Sequence, residues 1–274
     1  MALPLAGNIS ISLSPEGLPC ATLTHPRGGS CQVVIPGACV TSWRTADGAE
    51  RLSPMVRKDV SGGDCAGGIS ACGLQSLLPA EAWAIETMNG GDGDAPVVVS
   101  LFAESHPKGV LDETLAVVMP DSTAPLAARM TLALGANQLS VRIEVAHAGE
   151  EALGDMADVS AGKLGVDCSL RAHCSGQQAG GGELAPATSE DAAMEDAVEE
   201  EEGGMCNVAL PDLERAGLRL RLEGFTKAAA AELPAVAAAA APAAFAFDAM
   251  APDRVVHLAP GETVAGALLL ELST

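Results

Sequence analysis

Apolar and polar residues alternate along most of the chain in the manner of β-strands. Five short segments carry this pattern: CQVVI at 31–35, VVVSLFAES at 97–105, ETLAVVM at 113–119, ARMTLAL at 128–134 and QLSVRIEVAHA at 138–148. Because successive side chains of a strand point to opposite faces, the alternation predicts strands that bury one face each.

The segment 130–146 predicts a β-hairpin. Leu132 and Leu134 come before a turn at 135–137, and apolar residues then recur at every second position from Leu139 to Val145. Charged residues occupy alternate positions of the second strand. This pattern gives one apolar face and one polar face, joined by a short turn that suits antiparallel neighbours.

Two further strands with this character lie in the C-terminal part. In GLRLRLEGF, at 217–225, leucines occupy every second position, and GETVAGALLLELS, at 261–273, follows the turn APGE. Repeated strands separated by Gly, Pro and Asp predict an all-β fold, a large antiparallel β-sandwich. We expect residues 1–274 to form a single domain of this kind.

Two segments depart from the alternation. Residues 175–204 are polar, acidic and rich in glycine, so they cannot bury enough apolar surface to offset the entropy lost on ordering. We therefore expect a disordered acidic insertion at 175–204. Residues 227–244 are rich in alanine, which allows helix turns that Pro234 and Pro242 would interrupt.

The charge and composition of the chain exclude some partners. The net charge of −21 disfavours binding to nucleic acid and to anionic membrane surfaces. Aromatic residues make up 2% of the chain, too few for a platform on which bases could stack. Nine acidic residues and no basic one fall between Glu183 and Glu202, so much of the charge belongs to the insertion.

The cysteine and glycine patterns indicate neither a metal site nor a cofactor. The chain has eight Cys, but no CxxC motif and no Cys/His cluster with the spacing of a zinc site. No P-loop and no dinucleotide fingerprint follows a predicted strand. We interpret Cys31 and Cys39, which lie among strand residues, as small buried hydrophobic side chains, and disulfides are the alternative for an even number of cysteines.

Targeting signals are not evident in the sequence. The start, MALPLAGNISISLS, lacks the basic region and the long apolar region of a signal peptide. No apolar run reaches the length of a membrane-spanning helix, since the alanine-rich segment is interrupted by two Pro and a Glu. We expect a cytoplasmic or chloroplast location rather than secretion.

The N-terminal motifs resemble those of the glucose-6-phosphate 1-epimerase branch of the galactose mutarotase superfamily. The family patterns N-P-R-G, G-A/G-x-V-T/V-S-W-R/K and D/R-G-x-E-x-L resemble PRG at 26–28, GACVTSWR at 37–44 and DGAERL at 47–52. The chain also ends as the family does, with a strand at 245–250 and a P-G-E turn. This resemblance implies a large antiparallel β-sandwich, with Trp43 in the core of its first sheet.

The resemblance also implies a site for interconverting sugar anomers. The family uses a Glu as base on the C1 hydroxyl and a His as acid on the ring oxygen, because a proton must move at both oxygens. The Glu corresponds to Asp248, and the His corresponds to Arg171, with His173 two residues further along the same face.

Asp248 and His173 are therefore the candidate catalytic residues. Arg171 stays protonated and cannot act as a general acid, so it is a candidate substrate-binding residue together with Arg44. The alternatives are a solvent-facing strand carboxylate for Asp248 and an exposed surface charge for Arg44.

Most positions that hold the sugar in the family are changed here. The Arg before G-G-I is Ala66, the H-G-F-A-R segment reads QSLLPA at 75–80, and the W-N-P motif is absent near 230–234. Without these groups, an acidic chain has few means of holding a sugar phosphate.

Two functions of different classes follow from the resemblance. The first is a glucose-6-phosphate 1-epimerase-like protein that binds a hexose or hexose phosphate and has weak or no activity. The second is a non-catalytic subunit of a larger complex, since this fold also occurs as such a subunit in a chloroplast electron-transfer complex. A fold alone does not fix function.

Overall fold

A computed structural model describes residues 7–53, 56–57, 65–75, 77–105, 126–148, 164–175, 198–200, 205–225, 227–231, 244–251 and 255–273. Within these ranges the chain forms strands almost throughout. The strands in chain order are β1 (Asn8–Leu13), β2 (Pro19–Thr24), β3 (Ser30–Val34), β4 (Cys39–Arg44), β5 (Val56–Arg57), β6 (Cys65–Ala66), β7 (Gly68–Ala71), β8 (Ala84–Asn89), β9 (Val97–Ser105), β10 (Leu126–Leu134), β11 (Gln138–His147), β12 (Leu164–Asp167), β13 (Leu170–Cys174), β14 (Val198–Glu200), β15 (Met205–Val208), β16 (Leu218–Glu223), β17 (Lys227–Ala231), β18 (Phe245–Met250), β19 (Val255–Leu258) and β20 (Thr263–Leu272).

In the described part of the chain, two eight-stranded antiparallel sheets form the body of the fold. The first sheet has the order β1-β2-β3-β4-β7-β13-β18-β17, and the second has the order β14-β15-β16-β20-β11-β10-β9-β8. Two small sheets, β5-β6 and β12-β19, accompany them. The helical elements in the described ranges are one short α-helix, α1 (Pro211–Arg215), and 3-10 turns at Cys72–Leu74 and Ala80–Ala82.

The hydrophobic core lies between the two large sheets. One cluster of buried residues takes Leu23, Trp43 and Phe247 from the first sheet and Met130 and Leu220 from the second. Inward-facing residues from both sheets thus share a single core, as expected for a β-sandwich. The sequence prediction of an all-β antiparallel sandwich is confirmed.

The predicted hairpin is present as β10 and β11. The two strands pair along their whole length from Leu126 opposite His147 to Leu134 opposite Leu139. Their inward positions, Met130 and Ile143 among them, are fully buried. The alternation in β16 is also as predicted, with Leu218 and Leu222 buried and Arg219 exposed.

Trp43 is completely buried in the core, as predicted. It lies opposite Cys31 on β3, while Val40 lies opposite Val33. The register shifts between these two pairs, which leaves one extra residue on β4. This bulge lets Val40 and Trp43, three positions apart, both face the core.

Three sequence expectations concern segments that the structure describes partly or not at all. The predicted strand at 113–119 lies outside the described residues. So does most of the predicted insertion, although Val198–Glu200 is strand β14, paired with β15. The alanine-rich segment begins with strand β17, so helix turns do not form at Lys227–Ala231.

Six of the eight cysteines are free thiols: Cys20, Cys31, Cys39, Cys168, Cys174 and Cys206. Burial raises the pKa of Cys174 to about 12, and burial with the charge of Asp167 raises that of Cys168 to about 12. In the described ranges, no helix is long and apolar enough to cross a membrane.

Candidate functional site

The candidate residues meet on the outer face of the first sheet, where β13 lies between β7 and β18. Leu170 and Ala172 of β13 point into the core. The alternate residues, Arg171 and His173, therefore share the opposite face. Asp248 of β18 is directly opposite Arg171 in the strand register, so it joins them on that face.

Arg171 and Asp248 form a bidentate ion pair. Arg171 Nε donates to Asp248 Oδ1 at 2.7 Å, and Arg171 Nη2 donates to Asp248 Oδ2 at 2.8 Å. The Asp248 side chain is only 7% exposed and that of Arg171 is 29% exposed. Asp248 is therefore not a solvent-facing carboxylate, and both of its oxygens accept hydrogen bonds from the guanidinium.

His173 lies one row along the sheet from this pair. It faces Ala246 on β18 and Gly68 on β7, and it is 1% exposed. Neither ring nitrogen has a hydrogen-bond partner among the described residues. Burial and the positive charge of Arg171 lower the pKa of His173 to about 4, although the charge of Asp248 opposes this shift. The imidazole is therefore neutral at pH 7.

The protonation of His173 should make stability depend on pH in a defined window. The unfolded chain protonates His173 near pH 6.5, whereas the folded chain does so near pH 4. Stability should therefore fall as the pH drops from about 6.5 to about 4, by up to about 3 kcal/mol from this residue.

Urea unfolding of the parent and of His173→Gln at several pH values measures this contribution. The difference between the two curves isolates His173, because the other titrating groups contribute to both proteins. If the unfolding free energies of the two proteins changed in parallel between pH 4 and pH 6.5, the predicted pKa shift would be contradicted.

The backbone geometry at Gly68 explains why the second position of the G-G-I motif is a glycine. Its φ is +67°, and a Cβ atom at this position would overlap the carbonyl oxygen of Val40. Glycine is thus required where β7 approaches β4. Next to it, Ser70 lies opposite Arg171 and is buried, a neighbour that the sequence did not indicate.

Arg44 lies away from the Arg171–Asp248 pair. It ends β4, three strands from β18, so about 14 Å separate the two strands at ideal spacing. The Arg44 side chain is 63% exposed, and its Nε is 3.3 Å from Glu50 Oε2. The structure therefore brings together Arg171, His173 and Asp248, but not Arg44.

The D-G-x-E-x-L motif forms a turn held by its own side chains. Asp47 Oδ1 accepts hydrogen bonds from the Thr45 hydroxyl at 2.6 Å and from the Ala49 N–H at 3.0 Å. The buried Arg51 donates to Asp47 Oδ2 at 3.2 Å. Glu50 Oε1 accepts from the Trp43 N–H at 2.8 Å. These contacts give the motif a structural role that fixes the end of β4.

The chemistry available at the Arg171–Asp248 pair is limited. The guanidinium takes one lone pair on each oxygen of Asp248, and little of this carboxylate is exposed to a substrate. His173 is neutral at pH 7. A neutral imidazole is a very weak acid, so His173 is poorly suited to protonate a ring oxygen. In the described ranges, no group of three His, Cys, Asp or Glu side chains could hold a metal ion.

Several solved protein structures are similar to this one along most of the chain. The structure is similar to the candidate mutarotase YeaD from Salmonella typhimurium (TM-score 0.57, 14% identity, 96% of this chain and 94% of that chain). It is also similar to a candidate aldose 1-epimerase from Klebsiella pneumoniae (TM-score 0.58, 10% identity, 97% and 83%). A third similar structure is a galactose mutarotase-like protein from Lactobacillus casei (TM-score 0.50, 10% identity, 97% and 100%).

No protein-family model matches the sequence, and no curated protein matches it. At such low identities, the structural similarity establishes the fold: a β-sandwich of the galactose mutarotase-like type.

Proposed function

We propose that this chain is an aldose 1-epimerase-like protein, related to the glucose-6-phosphate 1-epimerase branch, that has little or no ability to interconvert anomers. Its expected ligand is a hexose or hexose phosphate. The observation that carries this proposal is the bidentate Arg171–Asp248 pair, with bonds of 2.7 and 2.8 Å.

Interconversion of anomers needs two proton transfers on opposite sides of the breaking bond. A base takes the proton of the C1 hydroxyl, an acid protonates the ring oxygen, and the bond between C1 and the ring oxygen breaks. In this chain the carboxylate that corresponds to the base is held by an arginine at the position that corresponds to the acid. Arg171, in place of the histidine of the family, therefore removes the acid and also forms an ion pair with the residue that would be the base.

The surroundings of the pair support the same conclusion. The buried His173 lies on the same face, but its pKa is lowered to about 4, so the imidazole is neutral at pH 7 and is then a very weak acid. Loss of one general acid typically slows a reaction by a factor of about 10²–10⁴. Loss of the residues that orient the sugar slows the reaction by a comparable factor.

Exchange spectroscopy on the two anomers of glucose 6-phosphate tests this proposal. We expect the exchange rate with protein to stay within about twofold of the rate in buffer, because neither proton transfer is assisted. The matched variants are Asp248→Asn and His173→Gln, each verified as folded by circular dichroism.

A clear acceleration by the parent protein that disappears in Asp248→Asn would overturn the proposal and identify a working enzyme. If His173→Gln also removed the acceleration, His173 would be the acid. Ligand-observed NMR with glucose 6-phosphate tests binding separately. A protein that neither binds the sugar nor accelerates exchange would favour the assembly role over carbohydrate binding.

A further inference from the structure

Strand β1 is an exposed edge of the first sheet. It pairs with β2 on one side, and among the described strands it has no partner on the other. Alternate N–H and C=O groups of an edge strand point outward and remain available for another strand. Two of its apolar side chains are also exposed, Ile11 by 51% and Leu13 by 70%.

The other described edges of the two large sheets carry features that discourage pairing. Strand β8 has Glu86 and a register irregularity, and β14 is only three residues long. Strand β17 begins with Lys227. Charges, irregularities and short length all protect an edge from pairing with another chain.

Strand β1 has none of these features. Its sequence, NISISL, contains no charged residue and no proline, and its register with β2 is regular from Asn8 to Leu13. This neutral edge belongs to a chain with a net charge of −21. Two copies can thus meet along β1 without placing like charges opposite each other within the strand.

Two apolar side chains on the inner faces of the edge strands β1 and β8 are exposed. The Gly7 N–H donates to the Gly91 carbonyl at 3.1 Å, which joins the start of β1 to the residues after β8. On β8, Met88 lies opposite the buried Val99 and so faces inward, yet it is 53% exposed. Ile11 is likewise on the inner face, opposite the buried Ala21. Inner-face side chains of both edge strands are thus open to solvent.

We propose that β1 pairs antiparallel with β1 of a second copy of this chain, about a two-fold axis through Ile11. In this register Ile11 lies opposite Ile11 of the second copy, Ile9 lies opposite Leu13, and Ser10 lies opposite Ser12. Apolar side chains then face apolar ones and hydroxyls face hydroxyls, since directly opposite residues of a strand pair share one face. The alternating strand is complementary to itself, as a two-fold interface requires.

The small area of this contact sets the strength of the dimer. Five paired residues per copy, Ile9 to Leu13, bury less than the roughly 1,200 Å² at which stable interfaces begin. The dimer is therefore weak, with a dissociation constant on the order of 100 µM. Its formation depends on protein concentration.

Sedimentation equilibrium over a wide range of concentrations tests the proposal. The weight-average mass of the parent should rise towards twice the monomer mass as the concentration increases. Ile11→Lys places two ammonium groups opposite each other at the axis and should weaken the dimer at least about tenfold. Val255→Lys is the matched control, because Val255 is 44% exposed on β19, away from this edge.

Cross-linking through Ile11→Cys tests the register independently of the lysine variant. Opposite residues of a strand pair are close enough for a disulfide, so mild oxidation should give a covalent dimer. The parent, with its own cysteines, and Val255→Cys should give little dimer under the same conditions.

A parent protein that stays monomeric at all concentrations would overturn the proposal. So would equal effects of Ile11→Lys and Val255→Lys, because the contact would then lie elsewhere. Dimerisation without cross-linking of Ile11→Cys would reject the proposed register.

Discussion

Trp43→Ala is expected to lower the free energy of unfolding by about 3–5 kcal/mol, the usual loss when a buried aromatic side chain is removed from a core. Trp43 is 0% exposed and lies on the inner face of β4, opposite Cys31. Urea unfolding followed by far-UV circular dichroism measures the change.

Two controls distinguish the cavity from a general effect of substitution. Trp43→Phe keeps most of the buried volume and should lose clearly less stability than Trp43→Ala. Val255→Ala changes a residue that is 44% exposed and should stay within about 0.5 kcal/mol of the parent. A loss below about 1 kcal/mol for Trp43→Ala would contradict the burial of this side chain.

Arg171→Ala is expected to cost about 3 kcal/mol of stability. Breaking a buried ion pair by removing one partner typically costs about 3–5 kcal/mol, because the other charge stays buried. The Asp248 side chain is 7% exposed, so its carboxylate would lose a bidentate partner in a place that water reaches poorly. The Arg171 side chain is 29% exposed, which puts the expected loss at the lower end of that range.

A double-mutant cycle with Asp248→Asn separates the pair from its surroundings. The double variant should be more stable than the sum of the two single losses predicts, because it removes both charges of this pair together. Arg215→Ala is the matched surface control, since the Arg215–Asp212 pair is 47% and 40% exposed and should contribute at most about 1 kcal/mol. If Arg171→Ala cost no more than Arg215→Ala, the Arg171–Asp248 pair would not be buried in solution.

The same variant gives a second readout at His173. The positive charge of Arg171 helps to lower the pKa of His173. Removing that charge should raise the pKa, and titration of the imidazole resonances by NMR measures the shift. An unchanged pKa would show that burial alone sets it.

Alternation of apolar and polar residues was sufficient to predict the sandwich. Leu132 and Val141, at period-two positions of the hairpin, are buried, and Arg142 between such positions is not. This inference works because a strand has only two faces, so a sequence period of two assigns each residue to one of them.

Local preference was a poor guide where tertiary contacts decide the structure. The alanines of Lys227–Ala231 favour a helix in isolation, yet they form strand β17 against β18. Antiparallel pairing along five register positions gives alternate residues of β17 hydrogen bonds to an existing strand, and this outweighs a helix propensity of a few tenths of a kcal/mol per residue.

The sequence by itself determined that Arg171 and His173 share one face of a strand, because their separation of two residues fixes it. It also determined that Asp248 lies in a strand of alternating character. Only the tertiary structure decided that Asp248, 77 residues away along the chain, stands directly opposite Arg171 and accepts both of its hydrogen bonds. Strand register between distant segments depends on the packing of the whole sheet, and no local pattern contains it.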